Sequence, residues 1–323
     1  MGTSATRALV AVVLGFLLVA AIPDFAEAYE FSRPLAPADT GADVRALNAR
    51  IAGWYPNDAQ RRLHINQKYG GRTARAVSAF EEFHGLEVDG VAGPEVFELL
   101  NALEQRDGST LHFDYNEFVQ RNNSGCSAKA NAYAGTFGGG MATPQQVKRN
   151  VKRMMWRLEA VRAKGGHGPI GINSGFRSTP YNQCIGGAAA SQHLYGTAAD
   201  NRVAGITNRK ARDLARESQL SGIGCYSLSS HNHFDLRTEN RELPTSRFWW
   251  WPDQDRKGRD LDEAGRPCWG EPGTTSHATT AQGLDVLEAV FRAVPGVGSL
   301  VPSAAEIAAF RAAGEASDLR GAD

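Results

Sequence analysis

The chemistry-bearing residues of this chain gather in two short stretches. The first runs Ser191-Gln192-His193-Leu194-Tyr195-Gly196-Thr197-Ala198-Ala199-Asp200, and the second is His231-Asn232-His233-Phe234-Asp235. Histidine nitrogens and carboxylate oxygens suit a zinc ion, and a catalytic zinc site uses three protein ligands with one position left open. His193 and Asp200 are seven residues apart. On one helix that spacing would separate them by roughly 10 Å along the axis, too far to share an ion. Gly196 and the small residues after it allow a turn that folds Asp200 back toward His193. His231 and His233 are two apart, so on a strand both would point to one face, one to ligate and the other to reach a substrate. The remaining histidines, His64, His84, His112, His167 and His277, read as ordinary surface or core residues.

These groups need a scaffold. Ile170 to Ser174 reads as a short strand that delivers Arg177 to a loop. Thr143-Pro144 is a helix start, and the helix predicted from Pro144 to Lys164 places Val147, Val151, Met154, Met155, Leu158 and Val161 on an apolar stripe. A further helix is expected from Thr207 to Leu220. The segment from Gly222 to Tyr226 opens a strand region that ends in the histidine pair. Helices alternating with short strands indicate an α+β fold, with a small antiparallel sheet carrying the ligands.

The loop after the first strand runs Ile172-Asn173-Ser174-Gly175-Phe176-Arg177-Ser178, followed by Tyr181-Asn182 and Gly186-Gly187. Together with His193, Asp200 and His231-x-His233, these pieces resemble the zinc D-Ala-D-Ala carboxypeptidase family over about residues 111–237. The resemblance implies that His193, Asp200 and His233 ligate zinc, that His231 lies beside the reacting carbonyl, and that Arg177 meets a substrate carboxylate. It also puts Ser191 and Gln192 at the substrate. Some members carry an acidic residue three before the last ligand, where it serves as general base; here that position is Ser230. Asp235 is either an orienting neighbour of the site or a surface ion-pair partner.

Upstream, Gly70-Gly71-Arg72-Thr73 leads into a stripe of Ala76, Val77, Phe80 and Phe83, with Thr73 as the expected N-cap. Gly85-Leu86-Glu87-Val88-Asp89-Gly90 and Gly93-Pro94 then turn the chain into a helix from Glu95 to Leu103. This succession resembles the three-helix peptidoglycan-binding domain over about residues 42–104. It departs from that pattern at Glu81, at Pro94-Glu95 and in a longer insertion from Trp54 to His64.

Residues 1–28 read as a signal peptide: Arg7, an apolar run from Ala8 to Ile22, and a small-x-small site at Ala26-Glu27-Ala28. That run is short of the roughly 20 residues of a membrane span. Export is therefore expected, to a periplasmic or extracellular, wall-associated location, with no stable membrane span after signal removal. Lysine plus arginine and aspartate plus glutamate number 35 each, a balance without the basic footprint of a nucleic-acid binder. Cys126, Cys184, Cys225 and Cys268 form an even set in an exported chain and point to disulfides, with three pairings open.

The organisation expected is a signal peptide (1–28), a peptidoglycan-binding-like helical domain (38–106), a catalytic domain (111–268), and a linker with a helical tail (269–323). Trp249-Trp250-Trp251 is a packing segment or a substrate wall. The function implied is a zinc metallopeptidase acting on D-amino-acid peptides of peptidoglycan, a carboxypeptidase in the first instance. A cross-link endopeptidase, or a zinc-containing wall-binding protein without turnover, are the alternatives.

Overall fold

Glycine and proline punctuate the helices of the N-terminal half. The computed structural model describes residues 28–56, 62–119, 125–126, 136–225, 231–239 and 249–252. Helix α1 (Ala42–Ile51) buries Val44, Leu47 and Ile51. Helix α2 (Gly71–His84) ends at Gly85, whose φ of 68° is left-handed. The Leu86 N–H bonds to the Glu81 carbonyl and the Gly85 N–H to that of Glu82, the paired closure glycine permits at a helix end. Helix α3 (Pro94–Ala102) starts on Pro94, one residue earlier than expected; proline suits this place because the first helical N–H has no partner anyway.

Thr73 is not the cap of α2. The cap position is Gly70, without a side-chain bond. The Thr73 hydroxyl instead donates to Asn48 Oδ1 at 2.8 Å, tying α1 to α2 in a buried contact that local sequence does not encode.

Helix α4 (Pro144–Lys164) matches its expected span. Thr143 and Gln146 form a reciprocal capping box, with each side chain bonded to the other's backbone. All six residues of the apolar stripe are fully buried and pack in a cluster with Phe118, Phe176, Ala199, Leu214, Ile223 and Phe234. The opposite side of α4 is also buried. Trp156 and Ala160 belong to the cluster built by α1, α2 and α3, so α4 is a wall shared by two cores. Such all-round burial makes it the helix that joins the halves.

Polar ties reinforce that junction. Lys164 Nζ donates to the Gly53 carbonyl at 2.9 Å and to the Glu217 carbonyl at 3.0 Å. Arg50 and Lys152 both bind Glu104 Oε1 at 2.6 Å.

The sheet has the order β1-β2-β4-β3-β5, with β1 (Ile170–Ser174), β2 (Ala198–Val203), β3 (Gly222–Cys225), β4 (Asn232–Asp235) and β5 (Trp249–Pro252). Four strands are antiparallel neighbours as expected. The fifth departs, since β5 joins the edge of β3 in parallel. The tryptophan run is thus an edge strand, and its Pro252 sits where a missing N–H costs least. Between β1 and β2 lies helix α5 (Thr179–Cys184), and helix α6 (Asn208–Glu217) follows β2, capped by Thr207. It is shorter than the span to Leu220 read from the sequence.

Alternation along the strands separates two faces. Ala199, Val203, Ile223 and Phe234 enter the core under α4 and α6. Asp200, His233 and Asp235 take the other face. Cys126 is bonded to Cys184; Cys225 lies on β3, and Cys268 is outside the described residues. So are most of the expected signal peptide and the tail. No helix among the described residues is long and apolar enough to cross a membrane.

Candidate metal centre

The turn that brings His193 to Asp200 depends on one glycine. Gln192–Tyr195 form a 3-10 turn closed by Gly196, whose φ is 69°. A Cβ there would also lie 2.7 Å from Val147 Cγ1 and 3.0 Å from the Val147 carbonyl oxygen of α4. Both the left-handed backbone and the close packing exclude larger residues. The chain then enters β2 and reaches Asp200, whose cross-strand partner on β4 is His233. On the other side a shift of register in β1 sets Ser174 opposite Asp200. A row of Ser174, Asp200 and His233 therefore crosses the sheet, with His193 held above it.

Each histidine has one nitrogen engaged behind it and one facing Asp200. His193 Nδ1 lies 2.6 Å from the Gly175 carbonyl oxygen. A carbonyl only accepts, so the proton sits on Nδ1 and the Nε2 lone pair faces Asp200 Oδ1 at 3.3 Å. His233 is reversed: Nε2 lies 3.2 Å from Asp235 Oδ2 and Nδ1 is 2.8 Å from Asp200 Oδ1. The ligand-type atoms of His193, Asp200 and His233 all lie within 4.8 Å of one another, and all three residues are buried. Two nitrogens and a carboxylate oxygen, converging and backed by acceptors, are a donor set that fits a divalent cation such as zinc. The residues present fit the ion.

The electrostatics agree with that geometry. Burial alone would raise Asp200, but the adjacent histidines hold its carboxyl well below the usual carboxylate range. Burial pushes His193 down. Burial would also lower His233, yet its hydrogen bonds to Asp200 and Asp235 push it up to about 9. The two carboxylates thus favour positive charge between them.

Arg177 closes the outer side. Its Nη2 donates to Asp200 Oδ2 at 2.6 Å and its Nε to Ser174 Oγ at 2.9 Å, so the fork expected to meet a substrate is already anchored along one edge. The Arg177 N–H bonds to the His193 carbonyl, joining the two loops. Gln192 is buried, its amide oxygen accepting from Thr197 Oγ1 at 2.8 Å, and Ser191 precedes it, half-buried. His231 is half-buried and stands one residue before β4, because the ladder with β2 stops at Asn201 and Asn232. Strand alternation therefore does not place it beside His233 as expected. Ser230 lies outside the described residues.

Three contributors escaped the sequence reading. Gly175 supplies the carbonyl behind His193, and a Cβ on it would lie 2.5 Å from Phe118 Cα. Ser174 anchors Arg177. Arg237 grips Asp235 through two of its guanidinium nitrogens. The first two lie in the quoted loop motif, where their role was hidden, and nothing local marks the third.

Comparison with known proteins agrees with the motifs. Residues 111–235 match the family model of Peptidase M15, and residues 40–100 match that of a putative peptidoglycan binding domain. A curated relative, the zinc D-Ala-D-Ala carboxypeptidase of Streptomyces albus G, is 37% identical over 172 residues, which is 53% of this chain and 62% of the relative. The match thus spans less than two thirds of that relative's length. A solved structure described as the Burkholderia AP3 phage endolysin is 27% identical over 37% of each chain, with a TM-score of 0.19, and carries no argument about the fold. The resemblance to the zinc D-Ala-D-Ala carboxypeptidases, with a match to a peptidoglycan-binding domain model ahead of it in the chain, holds.

Proposed function

We propose that this chain is an exported zinc metallopeptidase that hydrolyses D-amino-acid peptides of bacterial peptidoglycan, with release of a terminal D-alanine as its reaction. The observation that carries this reading is the convergence of His193 Nε2, His233 Nδ1 and Asp200 within 4.8 Å, each histidine held from behind by an oxygen. Zinc held there would polarise a carbonyl as a Lewis acid and lower the pKa of water toward about 7. The relative's name and the Peptidase M15 match support the same class.

The chain's own residues have separable tasks. Asp200 divides its carboxylate, Oδ1 toward the histidines and Oδ2 toward Arg177. Arg177 keeps its remaining N–H donors for a substrate carboxylate, while Ser174 and Asp200 fix the plane of the guanidinium. His231, at the mouth of β4, stabilises the oxyanion or moves the proton; an imidazole is suited to either at neutral pH. Ser191 and Gln192 line the approach to His193. In this reading the N-terminal helical domain spans residues 38–106, the catalytic domain 111–268 and the linker with its tail 269–323. The N-terminal domain engages peptidoglycan, and the Cys126–Cys184 bond suits an oxidising compartment outside the cytoplasm.

The test is hydrolysis of defined muropeptides by the purified mature chain, with and without a chelator, read by mass spectrometry. Loss of one terminal D-alanine that stops with chelation is the expected result. Cleavage of cross-linked dimers alone would make the enzyme an endopeptidase. Retention of zinc with no cleavage would make it a binding protein.

A further inference from the structure

We propose that Asp235 is a positioning residue for the metal centre: together with Arg237 and the missing side chain of Gly222, it determines which nitrogen of His233 faces the ion. This deepens the metal-centre reading above and rests on it. The observation is the way Asp235 is held. It is fully buried on β4, and its Oδ2 is the oxygen behind His233 Nε2 at 3.2 Å. A carboxylate only accepts, so this contact keeps a proton on Nε2; an ion would then displace only the proton on Nδ1, the atom that faces Asp200. Without this contact, either nitrogen of His233 could carry the proton, and only one form presents a lone pair to the ion.

A buried carboxylate keeps that job only if it cannot swing away. Arg237 supplies the restraint: its backbone N–H donates to Oδ1 at 2.9 Å, its Nε to Oδ1 at 3.0 Å and to Oδ2 at 3.1 Å, and its Nη2 to Oδ2. The main chain is pinned as well, with the Ser221 N–H on the Asp235 carbonyl and the Leu236 N–H on that of Thr197. Space for the carboxylate comes from the neighbouring strand. Gly222 is the β3 partner of Asp235, and a Cβ there would lie 2.2 Å from both carboxylate oxygens. Backbone on both sides of that contact is fixed by the ladder, so a side chain at 222 must displace the carboxylate. Gly222 has no positive φ to explain it; the occupied space does.

A bland alternative exists, in which Asp235 and Arg237 merely clamp the turn after β4. The two readings differ in what the variants do to zinc affinity. Zinc dissociation constants would be measured by competition with a chromophoric chelator at fixed pH, on full mature chains whose folding is checked by circular dichroism. Outer partners of metal-bound histidines typically contribute about 10- to 100-fold in affinity. Asp235→Ala should weaken zinc binding by about that range. Asp235→Asn, which keeps an oxygen for His233 Nε2 and loses the ionic grip of Arg237, should fall between wild type and Asp235→Ala. Arg237→Ala keeps the carboxylate but removes its side-chain restraint, leaving the main-chain ties, and should cost part of the loss in Asp235→Ala, and Gly222→Ala should weaken zinc although it removes no polar group. If Asp235→Ala does not fold, Asp235→Asn and Gly222→Ala carry the test. Wild-type affinity in folded Asp235→Asn and Gly222→Ala would overturn the proposal, as would equal losses in Arg237→Ala and Asp235→Ala. Failure of the wild type itself to take up zinc would overturn the metal-centre reading, and this proposal with it.

Discussion

Two buried polar clusters of this molecule use similar ingredients to opposite ends. At the junction of the N-terminal helices with α4, Arg50 and Lys152 share Glu104, and all three side chains are at most 3% exposed. Every strong group there meets its complement: Arg50 also gives Nη1 to the Ala46 carbonyl at 2.8 Å and lies over the rings of Phe31 and Trp156. On the sheet, His193, Asp200 and His233 bring ligand-type atoms within 4.8 Å of one another. Burial and charge alone therefore do not mark a metal centre. Convergence of ligand-type atoms does, and histidine shows it best. His84 of the N-terminal half packs among Trp54, Phe80 and Phe83 with its Nε2 lacking a partner, whereas His193 and His233 each have an oxygen behind them.

The largest effect expected from breaking this contrast is at Glu104. Glu104→Ala strands two buried cations, and removing one partner of a buried ion pair costs about 3–5 kcal/mol. Urea unfolding should show that loss, and zinc affinity of the folded fraction should stay at the wild-type value. Reduced zinc binding would mean that the two clusters are coupled.

The next concerns His84. Burial pushes its pKa down to about 4, against about 6.5 for an unfolded histidine. Between those values the unfolded chain binds more protons, so stability is level above about pH 6.5 and falls as the pH drops toward 4. Allowing for its partial exposure, the loss is about 1–3 kcal/mol. Denaturation midpoints of His84→Phe should lack this part of the acid limb. An unchanged limb would show that His84 is not the group responsible.

Of similar size is the effect at Arg177. Hydrogen bonds to charged groups contribute about 1.5–3 kcal/mol, so amidating the substrate's terminal carboxylate should lower kcat/KM by roughly one to two decades. Arg177→Ala should cost a similar amount on the free acid and little more on the amide. Equal rates of wild type on acid and amide would assign the enzyme to cross-link cutting instead.

Least is a helix cap. Thr143→Ala removes half of the capping box of α4 and should cost about 1 kcal/mol, seen as a shift in the denaturation midpoint with zinc content unchanged.

The same contrast explains what was legible in the sequence. The span of α4 was readable because Thr143, Pro144 and Gln146 are local signals, as was β1. The trio His193, Asp200 and His233 was readable because residue type and Gly196 made a shared ion feasible and the family resemblance singled out His233 over His231. What escaped depends on contacts between distant residues. Thr73 has the chemistry of a cap, yet Asn48 takes its hydroxyl. Trp156 and Ala160 serve a second core that the single stripe of α4 does not reveal. The parallel docking of β5 and the end of the β4 ladder at Asn232 are matters of register, which changes which residues face the site without leaving a local pattern.

The central claim is tested most directly by counting zinc in the mature protein and its variants after exhaustive dialysis. The wild type should retain about one ion per chain, as a three-ligand centre implies. His193→Ala, Asp200→Ala and His233→Ala should each lose it, while His231→Ala keeps the ion and loses turnover. A wild type without zinc, or emptying of the centre by His231→Ala alone, would contradict the assignment.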